Sequence, residues 1–463
     1  MMKHYNLVVL GGGPGGYVAA IRAAQLGKKT AIIDNDKLGG ICLNWGCIPT
    51  KALLKNAEIL HYIKNSKKFG ITIPSFDVNF NETIQRSRDI SKRLSKGIEF
   101  LMKKNKIDHI VGRGAFKSDK EIEVNNGKNK EVVRADRIII ATGARSRILP
   151  GIEPDGKYII TSKEAMNLKT IPKKMLIIGA GAIGAEFAYF YNEYGSEVTL
   201  VEMMDNILPV EDEDISKELE KSFINSGIKI HKKTRVTHIK TLKNKLKVFL
   251  EISGKEQIIE TDIVLNAVGV IGNIEKIGLE DIGVETKDGA ISINDYNQTS
   301  IENIYAIGDV SGPPWLAHVA SAQGHVAVEH AFGHSTNPLD YNNIPGCTYC
   351  QPQVASIGMT EVKAKEAGHE VKIGRFNFSA SGKALAIGES LGFVKIIFDA
   401  KYGELLGCHI IGSEATELIA ELAIAKALET TWEEIATTVH AHPTLSEAVM
   451  EAALDAFGKS IHQ

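Results

Sequence analysis

Leu7-Val8-Val9-Leu10-Gly11-Gly12-Gly13-Pro14-Gly15-Gly16 decides the fold. An apolar run of strand type ends in a glycine-rich loop. Tyr17 to Leu26 follows with Val18, Ile21 and Ala24 at helical spacing, until Gly27 stops it. Thr30-Ala31-Ile32-Ile33 then reads as a buried strand ending in Asp34. The chemistry of such a unit is simple. Residues without a Cβ let backbone N–H groups close on a pyrophosphate, and the next helix turns its N-terminus toward the anion. An acid closing the second strand reaches ribose hydroxyls.

The unit recurs. Lys174-Met175-Leu176-Ile177-Ile178 leads into Gly179-Ala180-Gly181-Ala182-Ile183-Gly184, a helix runs through Glu186 to Tyr194, and Val198-Thr199-Leu200-Val201 ends in Glu202. The offset from first glycine to acid is the same in both copies, Gly11 to Asp34 and Gly179 to Glu202. One such motif is weak evidence; two complete copies predict two dinucleotide-binding domains. After Glu202, Met203-Met204-Asp205-Asn206-Ile207-Leu208 holds no arginine to receive a 2′-phosphate, which favours NAD over NADP at the second site.

Just beyond the first unit lies Gly39-Gly40-Ile41-Cys42-Leu43-Asn44-Trp45-Gly46-Cys47-Ile48-Pro49-Thr50-Lys51. A dithiol carries two electrons, as a hydride carrier does, so this segment and the loop before it are expected to form an electron-exchange pair. On a smooth helix, residues five apart point about 140° apart. A disulfide between Cys42 and Cys47 therefore needs a distorted helix start, for which Gly46 and Pro49 are suited. Spacing alone leaves open two buried thiols or a metal pair. Cys347-Thr348-Tyr349-Cys350 has spacing more usual for metal, but no second pair or histidine cluster follows, and it reads as structural.

The 463 residues suit roughly three domains, with 44% hydrophobic and 24% charged residues. A net charge of −2 supplies no field for nucleic acid or an anionic membrane. Five cysteines do not make a secreted disulfide scaffold. The apolar run near the N-terminus is too short for a secretory signal, and no stretch reaches membrane-spanning length. The expectation is a soluble cytoplasmic protein, or one of the mitochondrial matrix in a eukaryote.

Between the two units, helical patterns follow the cysteines (Ala52, Leu53, Ala57 and Leu60 on one face) and cover Thr83 to Lys103. Arg137 to Gly143 reads as a buried strand ending in the tight turn Thr142-Gly143, and Asp262 to Gly269 echoes it. Asn303 to Asp309 places an acid after a short strand. From about Asn343 the texture is α+β: strand-like runs Phe393 to Phe398 and Leu405 to Ile411, a helix from Glu414 to Leu428, then His440-Ala441-His442-Pro443-Thr444-Leu445-Ser446-Glu447 and a closing helix. Thr444 and Glu447 have the spacing of a capping box for that helix. A carboxylate behind His442 would favour its imidazolium, and such a base helps a thiol ionise. His440 reads as structural.

Taken together, the Cys42–Cys47 segment, Ala141-Thr142-Gly143, Ala306-Ile307-Gly308-Asp309 and the His440–Glu447 stretch resemble, in order and over essentially the whole chain, the pyridine nucleotide–disulfide oxidoreductases. The resemblance is strongest to the branch that oxidises dihydrolipoyl groups with NAD. It implies an α/β fold of two Rossmann-like dinucleotide-binding domains plus a C-terminal α+β dimerisation domain. The implied division is 1–148 with 272–342 for FAD and the central domain, 149–271 for NAD, and 343–463 for the interface. It implies that Gly11, Gly13, Gly16, Asp34, Thr142, Gly143, Asp309 and Ala317 serve FAD, and that Gly179, Gly181, Gly184, Glu202 and Gly269 serve the second nucleotide. Cys42 would be the thiol that meets substrate, and Cys47 the thiol against the flavin. Lys51 would sit near the flavin ring and pair with Glu186. His442 would be the acid–base catalyst held by Glu447, acting on the partner subunit's disulfide in an obligate homodimer. The implied partners are dihydrolipoyl groups on lipoyl domains or a lipoyl carrier protein, and the acyltransferase core of a 2-oxo acid dehydrogenase complex. A sibling NAD(P)H-dependent disulfide reductase, or a component that mainly docks, are the alternatives. Trp45 is bulkier than the small apolar residue usual between the cysteines, and Asp34 stands where glutamate is commoner.

Overall fold

The computed structural model describes residues 2–243 and 245–462. The chain divides into two compact units, the first made of residues 1–53, 79–147 and 269–339, the second of 54–78, 148–268 and 340–463.

The first unit is built on a seven-stranded sheet. Strand β1 (Lys3–Leu10) pairs in parallel with β2 (Thr30–Asp34) on one side and with Lys130–Ile140 on the other. Helix α1 (Pro14–Gln25) makes the crossover between β1 and β2. The strands expected around 5–10 and 30–34 are present and fully buried over Leu7–Leu10 and Thr30–Ile33, as a sheet covered on both faces requires. The strand expected at Arg137 begins earlier, at Lys130. Its first half pairs antiparallel with Glu121–Asn125 at the solvated end of the sheet, where mixed exposure blurs the apolar pattern. Ala317–Ala331 packs close on α1, because a Cβ on Gly15 would meet the Ala320 carbonyl oxygen at 2.9 Å.

Among the described residues the second unit holds three sheets. A five-stranded parallel sheet carries Lys174–Ile178, Glu197–Val201 and Ile263–Asn266, and the helix Ala182–Glu193 follows its glycine loop. A three-stranded antiparallel sheet over 234–261 is an element the periodicity did not announce. The third, five-stranded and antiparallel, contains Phe393–Asp399 and Leu405–Gly412, both buried throughout. Ala415–Ala427 and Glu447–Asp455 lie on it over Phe398, Ile410, Ile419 and Val449. Within this unit Lys395, 3% exposed, ties the segment after Glu202 to that sheet. Its Nζ meets Asp212 at 2.8 Å, Asp214 at 2.6 Å and Glu361 at 2.9 Å. Among the described residues no helix is long and apolar enough to cross a membrane.

Beside this cluster the Oε2 of Glu211 is buried and finds no hydrogen-bond partner among the described residues. Burial pushes its carboxyl from 4.5 up to about 7, against a hydrogen bond with Ser356. The folded state therefore holds a proton that the unfolded chain releases near pH 4.5. The resulting loss of stability develops between about pH 4.5 and 7 and is complete above that. Glu211→Gln removes it. The variant should gain about 2–3 kcal/mol relative to the parent between pH 5 and pH 8. Denaturant midpoints of the two proteins at those pH values check this, and an equal difference at both would refute it.

Candidate active site

The two glycine loops are built alike. Gly13 and Gly181 occupy the N-caps of α1 and of Ala182–Glu193 with nearly the same backbone angles (φ −71°, ψ −176° and φ −71°, ψ −175°), and neither helix has a side-chain cap. A Cβ on Gly13 would meet nothing nearer than 3.9 Å, and one on Gly181 nothing within 4 Å, so each helix N-terminus opens on space. The outer glycines are there for close approach. Gly11 and Gly179 have φ of +106° and +97°, and a Cβ on Gly16 or Gly184 would fall 1.9 Å from the carbonyl oxygen of Gly11 or Gly179. Unsatisfied first-turn N–H groups facing open space fit a pyrophosphate.

The two acids also match. Asp34 Oδ2 accepts from Gly12 N–H at 2.6 Å, and Glu202 Oε2 accepts from Ala180 N–H at 2.7 Å. Their second oxygens accept from the N–H groups of Asp36 and Met204. Each carboxylate thus holds its loop and its own turn, a use the sequence did not announce, and keeps lone pairs for a ribose. Burial raises the Asp34 carboxyl against these two donors.

Between the cysteines the backbone breaks. Helix α2 (Gly40–Trp45) ends at Gly46, whose angles (φ −147°, ψ −116°) are not helical, and α3 (Cys47–Lys64) starts at once. The distorted helix start expected from sequence is this junction. The two cysteines stand as thiols rather than a disulfide, hydrogen-bonded to each other through their side chains. That hydrogen bond, then burial, raises the Cys42 thiol, while Lys51 opposes the rise and Asp309 adds to it. Cys42 therefore keeps its proton. Cys47, first residue of an 18-residue helix, stands where a thiolate is favoured. Asp309 lies on the short turn Gly308–Ser311, its carboxyl raised by burial.

Residues without a motif complete this first-unit cluster. Asn273 donates its Nδ2 to the Thr142 carbonyl and its N–H to the Gly143 carbonyl, and accepts from Thr142 Oγ1 at its own carbonyl. Gln323 Oε1 accepts from Gly308 N–H at 2.6 Å. Asn44 Nδ2 reaches the Lys37, Leu38 and Gly40 carbonyls. Ala317 is the first residue of its helix, and Gly269 (φ +101°) accepts from Arg147 N–H.

In the second unit Glu186 is 4% exposed and accepts from Tyr349 N–H at 3.0 Å. His442 is the most open of the candidate residues there. Its side chain is 78% exposed and its Nδ1 lies 2.9 Å from Glu447 Oε1. Glu447 Oε2 accepts from Thr444 N–H, which together with His442 holds its carboxyl below the usual range. The capping box is only half made. Thr444 Oγ1 donates to the Ala441 carbonyl instead, and Ser446, at the N-cap position, makes no side-chain cap, while the Glu447 carboxylate is shared with the imidazole. His440 differs: its side chain is 6% exposed, with Nε2 on Glu421 and Nδ1 on the Thr438 carbonyl.

Cys350 is buried and donates to the Pro352 carbonyl, and Cys347 is half-buried beside Tyr349. Among the described residues no three His, Cys, Asp or Glu side chains are grouped to hold a metal. The Cys347→Ser/Cys350→Ser double variant should keep most turnover and bind as much zinc as the parent. Loss of two-electron cycling in it would show the pair lies in the electron path.

Residues 5–324 match the family described as pyridine nucleotide-disulphide oxidoreductase, and residues 344–453 match its dimerisation domain. The chain belongs to this family. Its relatives include the dihydrolipoyl dehydrogenase of Rhizobium etli, 48% identical with both chains fully covered. That of Bacillus subtilis is 44% identical, again over the whole of both. Among solved structures, LpdA (Rv3303c) from Mycobacterium tuberculosis superposes with a TM-score of 0.91 at 27% identity, covering 98% of this chain and 99% of the other. The HOCl-induced flavoprotein disulfide reductase RclA from Escherichia coli gives 0.87 at 26%, covering 97% and 99%. The family's dihydrolipoyl dehydrogenases use FAD and NAD, and the two loops above fit them. The dimerisation domain supports a homodimer.

Proposed function

We propose that this chain oxidises dihydrolipoyl groups to the disulfide and reduces NAD to NADH, with Cys42 and Cys47 as its redox couple. The observation that carries the reading is the broken α2–α3 junction, which pairs a protonated Cys42 with a Cys47 at a helix N-terminus. FAD belongs with Gly11, Gly13, Gly16, Asp34, Lys51, Thr142, Gly143, Asp309 and Ala317. NAD belongs with Gly179, Gly181, Gly184, Glu202 and Gly269, and Glu186 belongs with the flavin group. The functional division is 1–148 with 272–342, 149–271 and 343–463.

With the couple oxidised, one thiol of the substrate gives its proton to His442 Nε2, and the thiolate attacks Cys42 Sγ. The Cys42–Cys47 bond breaks and Cys47 leaves as thiolate. The second substrate thiol then attacks the sulfur bound to Cys42, closing the lipoyl ring and releasing Cys42, which regains a proton. Glu447, fixed by Thr444 N–H, orients the imidazole and stabilises its charged form. Bound FAD and NAD supply the two-electron chemistry that returns the couple to the disulfide. The substrate arrives on a lipoyl domain or lipoyl carrier protein, and the acyltransferase core of a 2-oxo acid dehydrogenase complex is the larger partner.

The test is an anaerobic titration with dihydrolipoamide and with NADH, watched in the flavin spectrum and followed by steady-state turnover. Reduction by NADH without turnover of dihydrolipoamide would favour a different disulfide substrate. Cofactor choice is checked separately. The Glu202 carboxylate repels a 2′-phosphate, so NADH should be preferred over NADPH on the order of a hundredfold, about 2.8 kcal/mol. Similar kcat/KM values for both would contradict this.

A further inference from the structure

Helix α4 (Phe80–Lys104) reaches the cysteine junction with three side chains. Arg88 Nη1 donates to the Asn44 carbonyl at 2.7 Å, Ser95 Oγ donates to Asn44 Oδ1 at 2.8 Å, and Arg86 Nη1 donates to the Ala52 carbonyl on α3 at 3.0 Å. The Arg88 guanidinium also lies over the Trp45 ring, 4.9 Å from its centroid. Asn44 and Trp45 are the last two residues of α2, immediately before Gly46.

Arg88 is unusual as a cation. Its Nη2 is buried with no acceptor, and no carboxylate pairs with it among the described residues. Burial lowers its basicity. A desolvated charge of this kind is expensive unless something compensates it. Two groups do so here: a carbonyl in the last turn of α2, which lacks a helical donor, and the electron-rich face of an indole. Both belong to the residues that separate the two cysteines. Trp45 is thereby explained, since a small apolar side chain would offer the guanidinium no such face.

We propose that Arg88 is a positioning residue for the Cys42–Cys47 couple, holding Asn44 and Trp45 so that the α2–α3 break keeps the two sulfurs poised to bond. Closing the disulfide from a Cys42 thiol and a Cys47 thiolate forms the S–S bond, removes the one Cys42 proton and releases two electrons, which bound FAD would accept. A fixed junction raises the effective concentration of one sulfur at the other and so favours the disulfide. Loosening it shifts the couple toward the dithiol. The inference rests on Cys42 and Cys47 being the redox pair.

The experiment uses the FAD-loaded dimer. Arg88→Met should shift the thiol–disulfide equilibrium about tenfold toward the dithiol, about 30 mV for a two-electron couple. Dihydrolipoamide turnover should fall about tenfold, with KM for NAD within twofold of the parent. Arg88→Lys keeps a cation for the indole and one donor for Asn44, and should recover to within about threefold. Trp45→Val tests the same clamp from the other side and should shift the equilibrium in the same direction; Arg88→Met should then add less than it does alone. Should Arg88→Met fail to fold, Arg88→Lys and Trp45→Val carry the test. An equilibrium unchanged within twofold in every folded variant overturns the proposal. If Cys42→Ser abolishes turnover in the same assay, that failure leaves the redox couple itself standing. If Cys42→Ser turns over normally, the functional reading falls instead.

Discussion

Cys42→Ser and Cys47→Ser are both expected to lower dihydrolipoamide turnover by about three orders of magnitude or more, yet only Cys42→Ser should keep a long-wavelength absorption band from a thiolate against the flavin. Neither variant can form the disulfide, so the loss of turnover is common to both. The spectra separate them because the two sulfurs stand in different surroundings. Cys42 ends its hydrogen bond on Cys47, is half-buried, and is held in its protonated form. Cys47 opens α3, where N–H groups without helical partners favour negative charge. With Cys42 replaced, Cys47 remains free to ionise. With Cys47 replaced, the remaining thiol is the one its surroundings keep neutral. The measurement is the visible spectrum of each FAD-loaded variant across pH 6 to 9. Matching spectra would mean that the two thiols are interchangeable and would remove the assignment of Cys42 to substrate.

The second large effect concerns His442. Its Nδ1 is taken by Glu447 while the rest of the ring is open to solvent, an arrangement that leaves Nε2 for a substrate proton. His442→Gln should lose about 10²–10⁴-fold in turnover, the range for a positioned acid–base group. The dimeric form of the proposal predicts more. A Cys42→Ser subunit and a His442→Gln subunit are each inactive alone. If each histidine serves the other subunit's disulfide, a mixed dimer has one site with both lesions and one with neither. Activity should then return to about half that of the parent dimer, provided the sites work independently. If histidine and disulfide of one chain work together, every site keeps a lesion and mixing restores nothing. Tagged subunits purified as the heterodimer settle the matter, and an inactive heterodimer would exclude the cross-subunit arrangement.

What was legible in the sequence was what local chemistry enforces. The loops at Gly11–Gly16 and Gly179–Gly184 were readable because left-handed backbone at Gly11 and Gly179, and van der Waals contact at Gly16 and Gly184, exclude any side chain. The strands at Tyr5–Leu10 and Lys174–Ile178 were readable because a parallel sheet buries both faces. The break between Cys42 and Cys47 was legible from Gly46 once the two cysteines were read as a disulfide pair, which a smooth helix would keep apart. Boundaries were less secure where exposure is mixed, as in Lys130–Ile140, and the sheet over 234–261 passed unnoticed because its strands are largely solvated on one face.

The sequence by itself therefore determined the family of folds and the paired glycine loops. The tertiary structure decided the rest. It turned Asp34 and Glu202 into clasps for their own loops, gave Glu447 to His442 rather than to a full capping box, and brought Arg88 and Ser95 from α4 onto Asn44. It also set Lys395 among Asp212, Asp214 and Glu361. The physical reason is range. Backbone angles and periodicity act over a few residues and leave a mark on composition there, whereas a buried charge or amide is satisfied by whichever distant group the fold delivers, and nothing near it in the chain records which one.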